Sequence, residues 1–265
     1  MFLGDRLLPT PAGITVLIYH TVGAGNGGAV DVDIEMFDEQ LAYLGEHHRV
    51  LSLAEAVDEL QSGAGSPAGS ADGSTDAVVI TFDDGTTDFV EHSVPALVKA
   101  GLPATLYACT QAINGQQPFP WGAPPATWAG LRDAASTGLI SIESHTHTHA
   151  LLDRLPAADI AEELDRSIEL IGEHIGTAPR HFAYPKAVPG SAAAQDAIRE
   201  RFDSASLARN RVNQHGRTDL QRLWRTPIQR SDDIKRFATK AAGGARIEGE
   251  VRNQLARWKY RGATR

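Results

Sequence analysis

The sequence predicts an α/β fold in which a parallel sheet is covered by helices and closes on itself as a barrel. Two observations carry this. Short apolar runs alternate with helical patterns along the chain, which is the signature of repeated βα units. Residues competent for chemistry also stand just past the ends of several of those runs: His20 after ITVLIY, Asp83 and Asp84 after VVITF, His145 after LISIES and Tyr184 at the end of HFAY. An open α/β sheet collects its site at one switch point, whereas a (β/α) barrel assembles it from the C-terminal ends of many strands. Four contributing strands favour closure.

Buried strands are expected at residues 14–19, 78–82, 104–108, 139–142, 181–184 and 202–207. Helices are expected at 36–46, 53–60, 94–100, 128–137 and 157–175. Residues 62–76, SGAGSPAGSADGSTD, are too poor in apolar side chains to pack and read as a flexible loop within a single domain spanning 1–245. Residues 246–265 read as a basic tail with six Arg or Lys residues and two Glu. Such a tail could lie on an anionic membrane, but a solvated terminal helix is the favoured reading.

Composition excludes several classes. The 265 residues carry a net charge of −8, so bulk electrostatics give no reason to expect a nucleic-acid partner. One cysteine, Cys109, rules out an internal disulfide. No stretch of about 18 apolar residues is present. No basic segment followed by an apolar run and a small-residue cleavage site opens the chain. The expectation is therefore a cytoplasmic location.

Three segments carry chemistry. In Asp83-Asp84-Gly85, adjacent carboxylates at a strand end point in different directions, so one can bind a metal while the other serves as a base. Gly85 permits a sharp turn. In residues 144–149, SHTHTH, two geometries compete. On a helical turn His145 and His149 share a face and His147 points away; on a strand all three histidines share a face. The turn is favoured because the preceding strand ends at Ser144. Either arrangement suits zinc or a similar divalent ion. In residues 179–185, PRHFAYP, Pro185 constrains Tyr184 to extended geometry, which can aim a backbone N–H.

Together these segments resemble the polysaccharide deacetylase family, the NodB-like chitooligosaccharide and exopolysaccharide deacetylases. TFDDG at 81–85, His-Thr-x-x-His at 145–149 and Arg-x-Phe-x-Tyr-Pro at 180–185 stand in the family's order. LIYHTV around His20 and GLPATLY at 101–107 add weaker matches. The resemblance implies a distorted (β/α) barrel and hydrolysis of N-acetyl groups on N-acetylglucosamine-type sugars or polysaccharide, releasing acetate. It implies one divalent ion, zinc first, with cobalt, manganese or nickel as alternatives. It assigns Asp83 as base, Asp84, His145 and His149 as metal ligands, Arg180 as the group that orients Asp83, and the backbone N–H of Tyr184 as oxyanion donor.

The sequence also departs from the family. It lacks the Leu-x-His segment whose histidine protonates the leaving amine, Phe202-Asp203-Ser204 stands in place of an Asp-Trp pair, and Ala187 replaces a glycine. His20, His215, a water or Asp83 itself is left as the acid, with His20 favoured. Two alternatives follow: a related barrel hydrolase of a small non-sugar amide or cyclic imide, and a catalytically weak carbohydrate-binding relative. Trp121, in the Pro-rich run QQPFPWGAPP, is the expected sugar contact.

Overall fold

A computed structural model describes residues 12–63 and 77–245. The expected loop at 62–76 (save its first two residues) and the basic tail at 246–265 lie outside the described residues. In chain order the strands and helices are β1 (Ile14–Tyr19), β2 (Thr21–Val22), β3 (Asp31–Val32), α1 (Ile34–His47), β4 (Val50–Leu51), α2 (Leu53–Ser62), β5 (Ala77–Asp84), α3 (Val94–Ala100), β6 (Ala104–Ala108), α4 (Thr110–Gly115), α5 (Trp128–Ser136), β7 (Ile140–Ser144), α6 (Ala157–Ile175), β8 (His181–Ala183), α7 (Ala192–Arg199), β9 (Ser204–Ala208), β10 (Leu223–Pro227) and α8 (Ile234–Ala241). Among the described residues no helix is long and apolar enough to cross a membrane.

β1 pairs in parallel with both β5 and β10, and β5 through β10 pair in succession. Seven strands therefore close into a parallel barrel, as expected, in a single domain. β4 is an extra strand against Val78 and Val79 only, and β6 takes over from Ile80 onward.

Strand periodicity sorts the core. Leu17 and Tyr19 of β1 and Ile80 and Phe82 of β5 face outward, onto Phe37, Leu41 and Leu44 of α1, Leu97 of α3 and Phe237 of α8. Val16, Val79, Tyr107, Ala183 and Leu223 instead share a cluster with Leu53, Ala56, Val57 and Leu60 of α2. These residues come from strands all round the ring, so they fill the lumen, and α2 plugs its N-terminal end. The plug starts with a capping box: Ser52 Oγ accepts from the Glu55 N–H, and the Glu55 carboxylate accepts from the Ser52 N–H at 2.9 Å.

The wall has one weak seam. β7 and β8 share a single register pair, Ser144 with Phe182. The N–H groups of Arg180 and His181 both donate to Glu143 Oε2 at 2.7 Å, so a side chain completes what the ladder leaves open. Burial outweighs those two bonds and pushes the Glu143 carboxyl up to about 7.

His181, at the start of β8, is buried and bonds through Nδ1 to Ser204 Oγ at 3.0 Å. Burial, with help from the Arg180 charge, drives its pKa from the usual 6.5 to about 4. The unfolded chain therefore takes up a proton that the folded chain refuses, and His181 withdraws stability as pH falls from 6.5 toward 4. Melting temperatures across that interval should fall less steeply for His181→Asn than for the wild type. Parallel curves would show that His181 does not titrate on unfolding.

Candidate metal and catalytic site

The site lies where the barrel strands end. Along β5, Val79 faces the lumen, and alternation carries Thr81 and Asp83 the same way. At Asp84 the backbone turns to φ +74°, a left-handed conformation costing a non-glycine residue roughly 1–2 kcal/mol. Gly85 follows at φ +92°, and a β-carbon there would meet Ile113 Cδ1 at 2.9 Å. The two adjacent carboxylates thereby enter one site from different directions.

Asp83 is held by Arg225. The guanidinium meets the carboxylate in a two-pronged contact, Nη1 to Oδ1 at 2.6 Å and Nη2 to Oδ2 at 2.9 Å. Arg225 is fully buried, lies over the Tyr107 ring at 4.9 Å, and reaches Thr81 Oγ1 at 3.3 Å. Burial would raise the Asp83 pKa, but the charges of Arg225 and His145 and the Arg225 hydrogen bonds hold it well below the usual range.

Asp84 is the converse. Burial and then the Asp83 charge push its pKa up, and its Oδ1 is a buried acceptor with no hydrogen-bond donor. His149 Nε2 lies 3.4 Å and His145 Nε2 3.7 Å from that oxygen. His145 Nδ1 bonds to the Ala183 carbonyl at 2.7 Å. A carbonyl can only accept, so Nδ1 carries the proton and Nε2 presents its lone pair to the site. Burial lowers the pKa of both histidines, that of His149 to about 3 with the neighbouring His145 adding to the effect. One ligand atom from each of Asp84, His145 and His149 lies within 4.8 Å of the others. One carboxylate oxygen without a donor and two neutral imidazole nitrogens suit a divalent ion of the zinc type.

The SHTHTH segment is neither a helical turn nor a strand. Thr146 and His149 sit at φ +65° and +62°, so an irregular loop brings the outer histidines together. His147 faces away, its Nδ1 2.9 Å from Thr110 Oγ1. His147 is thus apart from the cluster, as the favoured alternative had it, but for a different backbone reason.

Two expected roles are overturned. Arg180 does not orient Asp83. It precedes β8, at the end of the barrel opposite to Asp83, and its exposed guanidinium pairs with Asp203 at 2.7 Å. The backbone N–H of Tyr184 is no oxyanion donor as placed, because it extends the β8–β9 ladder to the Ser206 carbonyl at 3.1 Å. The Tyr184 ring is buried against Phe182.

His20 follows β1 beside this cluster. Its buried Nδ1 has no hydrogen-bond partner. Burial lowers its pKa, opposed by the Asp83 charge. His215 is remote: its Nδ1 lies 3.4 Å from the Glu59 carbonyl on the plugging helix. Trp121 stands at the mouth, 46% exposed, stacked on Phe119 at 4.9 Å and edge-on to His149 at 5.7 Å. Its loop is tied to the Asp-Asp-Gly turn, with the Ala126 N–H donating to the Gly85 carbonyl at 2.9 Å and Thr87 Oγ1 to that of Pro125 at 2.7 Å.

Arg225 is the functional residue that sequence reasoning missed, along with β10, the strand that carries it. The signal was present in Leu-Trp-Arg-Thr-Pro, where an arginine alternates with Leu223 on one face of an otherwise strand-like run.

A family model described as polysaccharide deacetylase matches residues 70–202, half of the chain. YxkH of Bacillus subtilis (strain 168), whose name places it among polysaccharide deacetylases, is 28% identical over 176 residues, 66% of this chain. The match spans only 57% of that relative's length. Among solved structures, the Streptococcus pyogenes deacetylase PplD in complex with acetate aligns with a TM-score of 0.73 at 22% identity, covering 88% of this chain and 99% of that one. IcaB from Ammonifex degensii aligns with a TM-score of 0.73 at 23% identity, covering 88% and 97%. At these identities the structures speak to the fold. Both His20 and Arg225 fall outside the matched stretch.

The two arginines should separate cleanly on mutation. Arg225→Met leaves a buried carboxylate without its partner and should cost about 3–5 kcal/mol in urea unfolding. Arg180→Ala breaks an exposed pair and should cost at most about 1 kcal/mol. Equal losses would contradict the placement of Arg225.

Proposed function

The chain belongs to the polysaccharide deacetylase family, and we propose that it hydrolyses N-acetyl groups on N-acetylglucosamine-type sugars of a polysaccharide, releasing acetate, with one divalent ion held by Asp84, His145 and His149. Membership supports a hydrolase, and the substrate, the ion and the residue roles are our reading. The observation that carries it is the donorless Asp84 Oδ1 facing two imidazoles whose nitrogens are kept neutral. Zinc is the first candidate by donor set, with cobalt, manganese and nickel as alternatives.

An amide carbonyl is a weak electrophile. A divalent ion at this site would polarise it and acidify a nearby water. Asp83, a carboxylate kept ionised by Arg225 at the edge of the same cluster, accepts the proton of the attacking water. His20 delivers the proton that the departing amine needs. Its unpartnered Nδ1 fixes no competing hydrogen bond; burial lowers its pKa overall, and the Asp83 charge only partly opposes that. The reaction balances: water adds to the carbonyl carbon, the C–N bond breaks, and acetate and a free amine leave. Trp121 offers an apolar ring face at the mouth, suited to the flat side of a pyranose.

Acetate release from N-acetylated oligosaccharides, run beside small N-acyl amides and cyclic imides, should show turnover on the sugars alone. Activity confined to the non-sugar amides would replace this reading. Asp83→Asn should keep its metal and lose at least about 100-fold in turnover. By elemental analysis His145→Ala and His149→Ala should lose the ion, whereas His147→Ala should retain it. Full occupancy in both ligand variants would overturn the assignment.

A further inference from the structure

The loop that carries His145 and His149 is conformationally costly, yet it has no regular secondary structure to hold it. Thr146 and His149 both occupy the left-handed region. His145 is fixed independently, by the Ala183 carbonyl. His149 is partly exposed and has no such anchor; its position follows from the backbone before it. That backbone is fastened from two sides. The Gln111 N–H of α4 donates to the His147 carbonyl at 2.8 Å. From the other side, one carboxylate on α6 takes three hydrogen bonds: Glu163 Oε2 accepts from the His147 N–H at 3.1 Å and the Thr148 N–H at 2.8 Å, and Oε1 accepts from Thr148 Oγ1 at 2.7 Å.

We infer that Glu163 is a positioning residue for the metal centre, fixing the backbone at His147 and Thr148 so that the His149 imidazole meets Asp84. It touches neither substrate nor ion. Both backbone N–H groups need an acceptor, and both find it at Oε2; the Thr148 hydroxyl at Oε1 can donate to a carboxylate or accept from a carboxamide. The carboxylate adds charge to the two backbone bonds, which makes them stronger than a carboxamide's. The reach from α6 also explains why no local motif reveals the role: Glu163 stands 15 and 16 residues beyond its partners. Residues that orient ligands in this way typically change metal affinity 10–100-fold when removed.

The inference rests on the three-ligand site proposed above, and the test separates the two. Zinc affinity is measured by chelator competition on the metal-stripped full chain for the wild type, Glu163→Gln and Glu163→Ala, with His149→Ala as reference. The Co(II)-loaded proteins are compared by visible absorption. Expected are one tight zinc ion in the wild type and affinity weakened about 10–100-fold in Glu163→Ala. Glu163→Gln, nearly the same shape, should fall between the two, and the Co(II) spectrum should shift toward that of His149→Ala. Wild-type affinity and spectrum in both Glu163 variants would overturn the positioning role while leaving the metal site standing. A wild type that binds no stoichiometric ion would overturn the site itself. A lower melting temperature with unchanged affinity and spectrum would make Glu163 merely structural and also defeat the inference.

Discussion

The buried pair between Asp83 and Arg225 organises the top of the barrel. Neither charge is tolerable in the lumen alone: an isolated ion there costs several kcal/mol of lost hydration. Joined by two short bonds, with Tyr107 beneath the guanidinium and Thr81 at its edge, they form a neutral unit that seven strands can close around. The pair also decides the electrostatics beside it. Once Asp83 is held ionised, its neighbour Asp84 is the carboxylate that burial penalises, and it is left to be satisfied by something other than a protein donor. The difference in charge state between the adjacent aspartates thus follows from which of them an arginine reaches.

Backbone irregularity also occurs at this place. Asp84, Thr146 and His149 all adopt left-handed conformations, and none is a glycine. Strain of this kind persists only where surrounding contacts over-determine it. Here those contacts come from outside the loops concerned: Arg225 on β10, the Ala183 carbonyl on β8 and Glu163 on α6. Each segment of the site is short, and each is held in shape by residues far away in sequence.

That dispersal explains what could be read from the sequence. β1 and β6 and the helix at 157–175 stand where apolar runs and helical periodicity put them, because those signals are local. The clustering of Asp84, His145 and His149 was legible because each residue lies at or just beyond a strand end. The partner of Asp83 was not. Arg180 belongs to a recognisable motif but precedes its strand, so its side chain emerges at the wrong end of the barrel. Arg225 belongs to no motif, and a single arginine in a run such as Leu-Trp-Arg-Thr-Pro does not look buried until the strand that carries it is paired between β9 and β1. The conformation of 145–149 was equally hidden, since spacing alone cannot tell a helical turn from a loop with left-handed residues.

The α2 plug has a consequence for proton traffic. Leu53, Ala56, Val57 and Leu60 seal the lower lumen with side chains that can carry no proton, and Val16, Val79 and Leu223 continue that seal upward toward Arg225. Among the described residues, apolar side chains thus close the lumen beneath Asp83, while Trp121 stands half-exposed near the strand ends. The apolar plug offers no relay for a proton on Asp83, whose polar neighbours Arg225, His145 and His20 all lie at the strand-end side. A barrel stoppered at one end leaves its buried titratable groups to exchange protons with one another, or with solvent, at the other.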